Sequence, residues 1–137
     1  MAGAVQFDGW MMTQTQPLRT VLLVDDEPEI RELLHEILNE HNCNVFQAEN
    51  GKDAFQLSRN EKIDVLITDL IMPEQEGIET VRQFRQTYPE MKIIAISGAA
   101  DVYLHMARIL GADATLRKPL NLVAITSLLQ RMLNSAS

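Results

Sequence analysis

Cysteine is nearly absent from this chain: Cys43 stands alone in 137 residues, so no intrachain disulfide can form and no thiolate cluster can hold a metal. That usage fits a reducing compartment. No apolar run approaches the ~20 residues that a membrane-spanning helix needs, and the first residues lack the basic and apolar blocks of a signal peptide. The expected location is therefore the cytoplasm, away from membranes. Positive charge is scarce too. With 12 Lys and Arg against 19 Asp and Glu, the net charge of -7 opposes broad attraction to nucleic acid or anionic lipid. Internal repeats and low-complexity blocks are also missing.

What remains is ordinary globular composition, 46% hydrophobic and 23% charged, in a length that suits one domain and one core. Residues Met1 to Pro17 follow neither the helical nor the strand period and are expected to form a flexible N-terminal tail, with the folded domain at 18-134 and a short tail at 135-137. From Leu18 short apolar runs alternate with amphipathic segments, the pattern of a β/α protein. The runs Thr20-Val24, Val45-Ala48, Ile63-Thr68, Lys92-Ile96 and Ala114-Leu116 predict parallel strands covered on both faces. Between and after them, Glu29-Asn39, Lys52-Arg59, Glu76-Thr87, Val102-Leu110 and Val123-Leu133 carry apolar residues at helical spacing. Pro28 suits the first turn of its helix, Asn50 a cap, Pro89 a stop and Gly111 a left-handed helix end. The expected fold class is α/β, a doubly wound five-stranded parallel sheet flanked by five helices. Periodicity alone leaves the strand order open.

Ligands of such sheets bind beyond the carboxyl ends of the strands. Polar residues stand at four of those ends: Asp25, Asp26 and Glu27 after Val24, Asp69 after Thr68, Ser97 after Ile96, and Lys118 after Arg117. A lone acid in a loop is ordinary, but Asp25, Asp26 and Asp69 on adjacent strand ends would repel one another unless a cation or protonation relieved the charge. Magnesium suits such a set, since it takes carboxylate and carbonyl oxygens and bridges readily to phosphate. A carboxylate beside it can attack phosphorus, while a lysine and a hydroxyl offset the charge of the transferred group.

The motifs Val-Asp-Asp-Glu-Pro at 24-28, Thr-Asp-Leu-Ile-Met-Pro at 68-73, Gly77, Ile-Ser-Gly-Ala at 96-99 and Leu-Arg-Lys-Pro-Leu at 116-120 together resemble the response-regulator receiver family, over about Leu18 to Leu133. The resemblance implies strand order 2-1-3-4-5 and a role in two-component phosphorelay signalling. It makes Asp69 the phosphoacceptor, Asp26 a direct magnesium ligand, Asp25 the acid that orients metal-bound water, and Ile71 the residue whose backbone carbonyl binds the metal. Ser97 becomes the switch hydroxyl and Lys118 the phosphate-binding lysine, with a cis bond to Pro119. The implied donor is a sensor histidine kinase or a histidine phosphotransfer protein. The implied output passes through the face of the fourth helix, fifth strand and fifth helix, to a downstream protein or to an output domain absent from this chain.

Some positions depart from the common receiver pattern. Thr115 stands where many receivers carry a switching aromatic, Glu76 where an Asp often precedes the glycine, and Ile71 and Ala99 offer no polar group to orient a hydrolytic water. A small phosphohydrolase using an aspartyl-phosphate would share this acidic edge, but neither a second acid two residues beyond Asp69 nor a cap insertion is present. The chain is therefore expected to modify only itself and to turn over no external substrate. A degenerate, partner-only receiver fits poorly with the complete set of Asp25, Asp26, Asp69, Ser97 and Lys118. His35, His41 and His105 read as surface or boundary residues, Cys43 as a packing residue, and Arg82, Arg85, Arg108 and Arg131 as solvated helix faces.

Overall fold

The computed structural model describes residues 19-71 and 77-135. The expected tail at 1-17 and the turn at Glu76 lie outside them. Strands β1 (Thr20–Val24), β2 (Asn44–Ala48), β3 (Val65–Asp69), β4 (Lys92–Ser97) and β5 (Ala114–Arg117) alternate with helices α1 (Pro28–Glu40), α2 (Gly51–Asn60), α3 (Gly77–Thr87), α4 (Asp101–Leu110) and α5 (Leu122–Ser135). All strand pairs are parallel, and the order is β2-β1-β3-β4-β5, as the family resemblance implied.

The strand period of two sorts the core into two layers. Val21, Leu23, Val65, Ile67, Ile94 and Ile96 point to one face, where Leu34, Ile37 and Leu38 of α1 and Ile125, Leu128 and Leu129 of α5 cover them. Leu22, Val24, Leu66, Ile93 and Ala95 point to the other, against Ala54 of α2, Val81 and Phe84 of α3 and Ala107 of α4. Cys43 packs into the first layer and is buried, as expected of it.

Central strands β1, β3 and β4 are covered on both faces, but β2 and β5 are not. These two form the sheet's edges, each with one strand neighbour, so their side chains stay half-exposed where the sequence pattern predicted burial. The boundaries shift as well. Ile63 and Asp64 precede β3, and Asp64 ties that lead-in to β1: its Oδ2 accepts the Thr20 N–H at 2.8 Å and its N–H donates to the Thr20 carbonyl at 2.9 Å.

Helix ends follow the expected chemistry. Pro28 opens α1, and the Asn50 side chain accepts from Asp53 N–H at 2.8 Å to cap α2. Gly111 closes α4 with φ 126°, a conformation that L side chains rarely adopt. A cap the sequence reading missed is Asn121, whose Oδ1 accepts from Ala124 N–H at 3.0 Å in the first turn of α5.

Arg85 is a clear correction to the reading of solvated helix faces. Its Nε and Nη2 donate to the Gly111 carbonyl at 3.0 and 2.8 Å, its Nη1 to the Pro89 and Met91 carbonyls at 2.7 and 2.8 Å, and Nη2 also to Asp113 Oδ2 at 2.7 Å. Those acceptors gather at the amino edge of β4 and β5, beyond the end of α3, a convergence that only the folded chain produces.

Candidate functional site

The chain leaves β1 outward to β2 and then crosses back to β3, so strand order reverses between β1 and β3. Their carboxyl ends form the crevice where an open α/β sheet binds ligands. β3 runs one residue further than predicted, making Asp69 its last residue, and β4 likewise ends on Ser97. Both groups therefore sit on rigid strand ends. Asp25, directly after β1, is 3% exposed, Asp69 5% and Ser97 0%, whereas Asp26 lies exposed.

Asp25, Asp26 and Asp69 each bring a carboxylate oxygen within 4.8 Å of the others. Lys118 reaches in from the opposite side. Its Nζ stands 3.1 Å from Asp25 Oδ2, 3.3 Å from Asp69 Oδ2 and 2.9 Å from Glu27 Oε1. The Lys118–Pro119 bond is cis, in line with the resemblance. Around this core the backbone does the holding. Glu27 N–H donates to Asp25 Oδ1 at 2.9 Å, Ile71 N–H to Asp69 Oδ1 at 3.3 Å, and Lys118 N–H to the Ser97 carbonyl at 3.0 Å. Ser97 Oγ accepts the Ala99 N–H at 3.0 Å, which leaves its hydroxyl proton to donate.

Two contacts here escaped the sequence reading. Arg31, which lies between the apolar positions of α1, donates from Nη1 to the Asp25 carbonyl at 2.5 Å. Glu27 looked like the third acid of a loop, yet its carboxylate holds Lys118. The only signal for the latter was an acid run unusually dense for one strand end. Gly77 closes the floor: its N–H donates to the Leu70 carbonyl at 2.8 Å, and a Cβ there would fall 1.9 Å from the Asp69 carbonyl oxygen. Only glycine lets α3 start so close to the Asp69 end of β3.

Burial pushes both the Asp25 and the Asp69 carboxyl above the ordinary carboxylate pKa, and the charge of Asp69 adds to the rise at Asp25. Lys118 and backbone N–H groups oppose the rise without cancelling it. Burial works against the Lys118 charge, but its bond to Glu27 and the negative charges of Asp25 and Asp69 carry its pKa above the ordinary value. One ammonium faces more negative charge than it can neutralise. Asp25 Oδ2 is buried and accepts no hydrogen bond, since Lys118 attracts it without being aligned to donate. A crowded, all-oxygen set with an orphaned acceptor fits a hard divalent cation, so the cluster can hold a metal ion.

Among the described residues no helix is long and apolar enough to cross a membrane. Residues 21-130 match the family model of the response regulator receiver domain. The chain is 36% identical over 104 residues to the transcriptional regulatory protein CpxR of Klebsiella pneumoniae, covering 76% of this chain and 44% of that protein. It thus spans less than half the length of that relative. It is 32% identical over 120 residues to the response regulator receiver protein CpdR of Brucella abortus, covering 87% of this chain and 100% of CpdR. Among solved structures, the response regulator TrrA of Thermotoga maritima, determined in complex with Mg(2+)-BeF, superposes with a TM-score of 0.76 at 30% identity, over 84% of this chain and 99% of TrrA. With its sheet order, its acidic crevice and a family match over most of its length, the chain belongs to the response regulator receiver domain family of two-component signalling.

Proposed function

We propose that the chain is a magnesium-dependent phosphorylation switch that accepts a phosphoryl group on Asp69 from a histidine of a sensor kinase or phosphotransfer protein. The observation that carries this reading is the buried Asp69 carboxylate within 3.3 Å of the Lys118 ammonium and beside the carboxylates of Asp25 and Asp26. Asp26, Asp69 and the Ile71 backbone carbonyl would hold magnesium directly, and Asp25 through water. When bound, the metal supplies positive charge that offsets the negative charge of donor and acceptor.

In the transfer, an Asp69 carboxylate oxygen forms a bond to phosphorus as the phosphorus–nitrogen bond of the donor breaks, and the imidazole keeps the electron pair. Lys118 places a positive charge against the equatorial oxygens, and Ser97 donates its hydroxyl proton to one of them. The product is an acyl phosphate on the protein itself, so the chain modifies itself and turns over no external substrate. Hydrolysis of that bond resets it. Ile71 is 45% exposed beside the crevice and, like Ala99, brings no side-chain base to activate water, which favours a long phosphoryl lifetime.

The output follows from where the phosphoryl group pulls. Ser97 ends β4 just before α4, and Lys118 follows β5, so drawing both inward acts on the α4/β5/α5 face. Val102, Met106 and Ile109 of α4 and Leu122 and Val123 of α5 are large apolar residues exposed to water. Exposed apolar side chains on these two helices suit a protein partner rather than nucleic acid or membrane. The reading places the protein in the cytoplasm, where a kinase's phosphohistidine would meet it.

Incubation with magnesium and a small acyl-phosphate donor should add one phosphoryl group by intact mass, and Asp69→Asn should remain unmodified. No gain in the parent, together with no magnesium-dependent binding of beryllium fluoride, would overturn the proposal.

A further inference from the structure

The shortest contact of Lys118 is to a carboxylate that belongs neither to the acceptor nor to the metal cluster. Its Nζ is 2.9 Å from Glu27 Oε1, against 3.1 Å to Asp25 and 3.3 Å to Asp69. The cluster of mutually close carboxylates among the described residues is Asp25, Asp26 and Asp69, without Glu27. The ammonium donates to Glu27 and to Asp69 and stands 3.1 Å from Asp25. Phosphoryl oxygens arriving on Asp69 draw on the same ammonium and gain when an existing contact yields. Asp25 is poorly placed to do so, being buried and bound through Oδ1 to the Glu27 N–H. The Glu27 side chain is 56% exposed, against 4% for Asp25 and 7% for Asp69, and can turn into water at little cost.

We infer that Glu27 is a positioning residue that holds the Lys118 ammonium at the rim of the site and competes with the phosphoryl group for it. The inference rests on the phosphoacceptor reading above. The exchange is a substitution of ion pairs in which no covalent bond is made or broken. Lys118 passes from the Glu27 carboxylate to a phosphoryl oxygen, and the carboxylate passes to solvent. Because a half-exposed pair is weak, Glu27 tunes closure of the site on phosphate and does not block it.

The test is a titration with beryllium fluoride at saturating magnesium, using the parent, Glu27→Gln, Lys118→Met and the double variant, with Glu29→Gln as a control for charge alone. Lys118→Gln replaces Lys118→Met if the latter does not fold. Glu27→Gln is expected to bind about threefold tighter than the parent, the factor set by losing one exposed competing pair. In the Lys118→Met background the same change should leave binding unaltered, and Glu29→Gln should leave it near the parent value. Equal tightening in the Lys118→Met background or in Glu29→Gln would assign the effect to the general field, and unchanged or weaker binding by Glu27→Gln would make Glu27 a bystander or a support; either overturns the inference alone. A parent that binds no beryllium fluoride overturns the phosphoacceptor reading and this inference with it.

Discussion

At the amino edge of the sheet Arg85 spends all five guanidinium N–H groups on the carbonyls of Pro89, Met91 and Gly111 and on Asp113. At the carboxyl edge Lys118 faces Asp25, Glu27 and Asp69 at once, and Asp25 Oδ2 is left buried without a hydrogen bond. One cation is fully matched to its acceptors, and the other is outnumbered by them. The first arrangement ties the end of α3 to the starts of β4 and β5 and to the end of α4, and gains from being rigid. The second stores excess negative charge where a metal ion would bring the compensating partner. Local conflict of this kind belongs at functional sites, where the stability it forfeits is recovered on binding.

Breaking the matched edge should have the largest effect. Arg85→Ala strips donors from three backbone carbonyls and takes from the Asp113 carboxylate the guanidinium it shares with the Ile93 N–H at 2.8 Å. A cost of about 3 kcal/mol is expected from loss of a partly buried, fully bonded cation. Urea unfolding would measure it, and magnesium should not restore it. A loss under about 1 kcal/mol would show that the amino edge is not the structural one.

Gly77→Ala probes the floor of the other edge. The added Cβ would lie 1.9 Å from the Asp69 carbonyl oxygen and 2.4 Å from Leu70 Cα, both backbone atoms, so the start of α3 has to shift. About 2 kcal/mol of destabilisation is expected, along with slower phosphorylation by the acyl-phosphate donor, because the acceptor strand moves with it. Full stability with unchanged phosphorylation would mean that the close approach is not needed.

The two edges were unequally legible in the sequence. Strand-end residues Asp25, Asp69, Ser97 and Lys118 announced themselves as polar residues that close apolar runs, and an α/β sheet gathers the carboxyl ends of its strands on one side. The order 2-1-3-4-5 came from the motifs' likeness to a family, since alternation of apolar runs is blind to which strands pair. Arg85 was illegible because its acceptors are backbone carbonyls, which every residue carries and no pattern marks. The half-exposure of β2 and β5 was hidden for a related reason: their residue types resemble those of the central strands, and only topology puts them at the edges. Glu27 was visible as an acid, but its bond to Lys118 spans 91 positions of the chain.

Asp69→Asn should act in the opposite direction to Arg85→Ala. It keeps the shape of the side chain and removes a buried charge from the outnumbered edge, so the metal-free protein should gain about 1 kcal/mol while losing phosphorylation. Magnesium should stabilise the parent in thermal melts and the variant much less. A variant less stable than the parent would mean that Lys118 already balances the crevice, and the contrast between the edges would fail.

The smallest effect is the pH dependence of that gain. Asp25 and Asp69 have folded pKa values raised above their ordinary 3.8, so between the unfolded and folded values the native state binds more protons than the unfolded state. Stability from these groups therefore falls as pH rises through that window and is level above it. Carboxylates remote from the crevice add slopes that cancel in the difference between the parent and Asp69→Asn, whereas Asp25, whose carboxyl the charge of Asp69 raises, adds to that difference in the same direction. The advantage of Asp69→Asn should shrink as pH falls through that window, vanish only well below the ordinary 3.8, where the carboxyl is protonated in both states, and reach its full value above the raised folded pKa. Urea midpoints across that range without magnesium would trace it. An advantage independent of pH would separate the gain from the charge on Asp69, and the excess of carboxylates over cations would no longer account for the difference between the two edges.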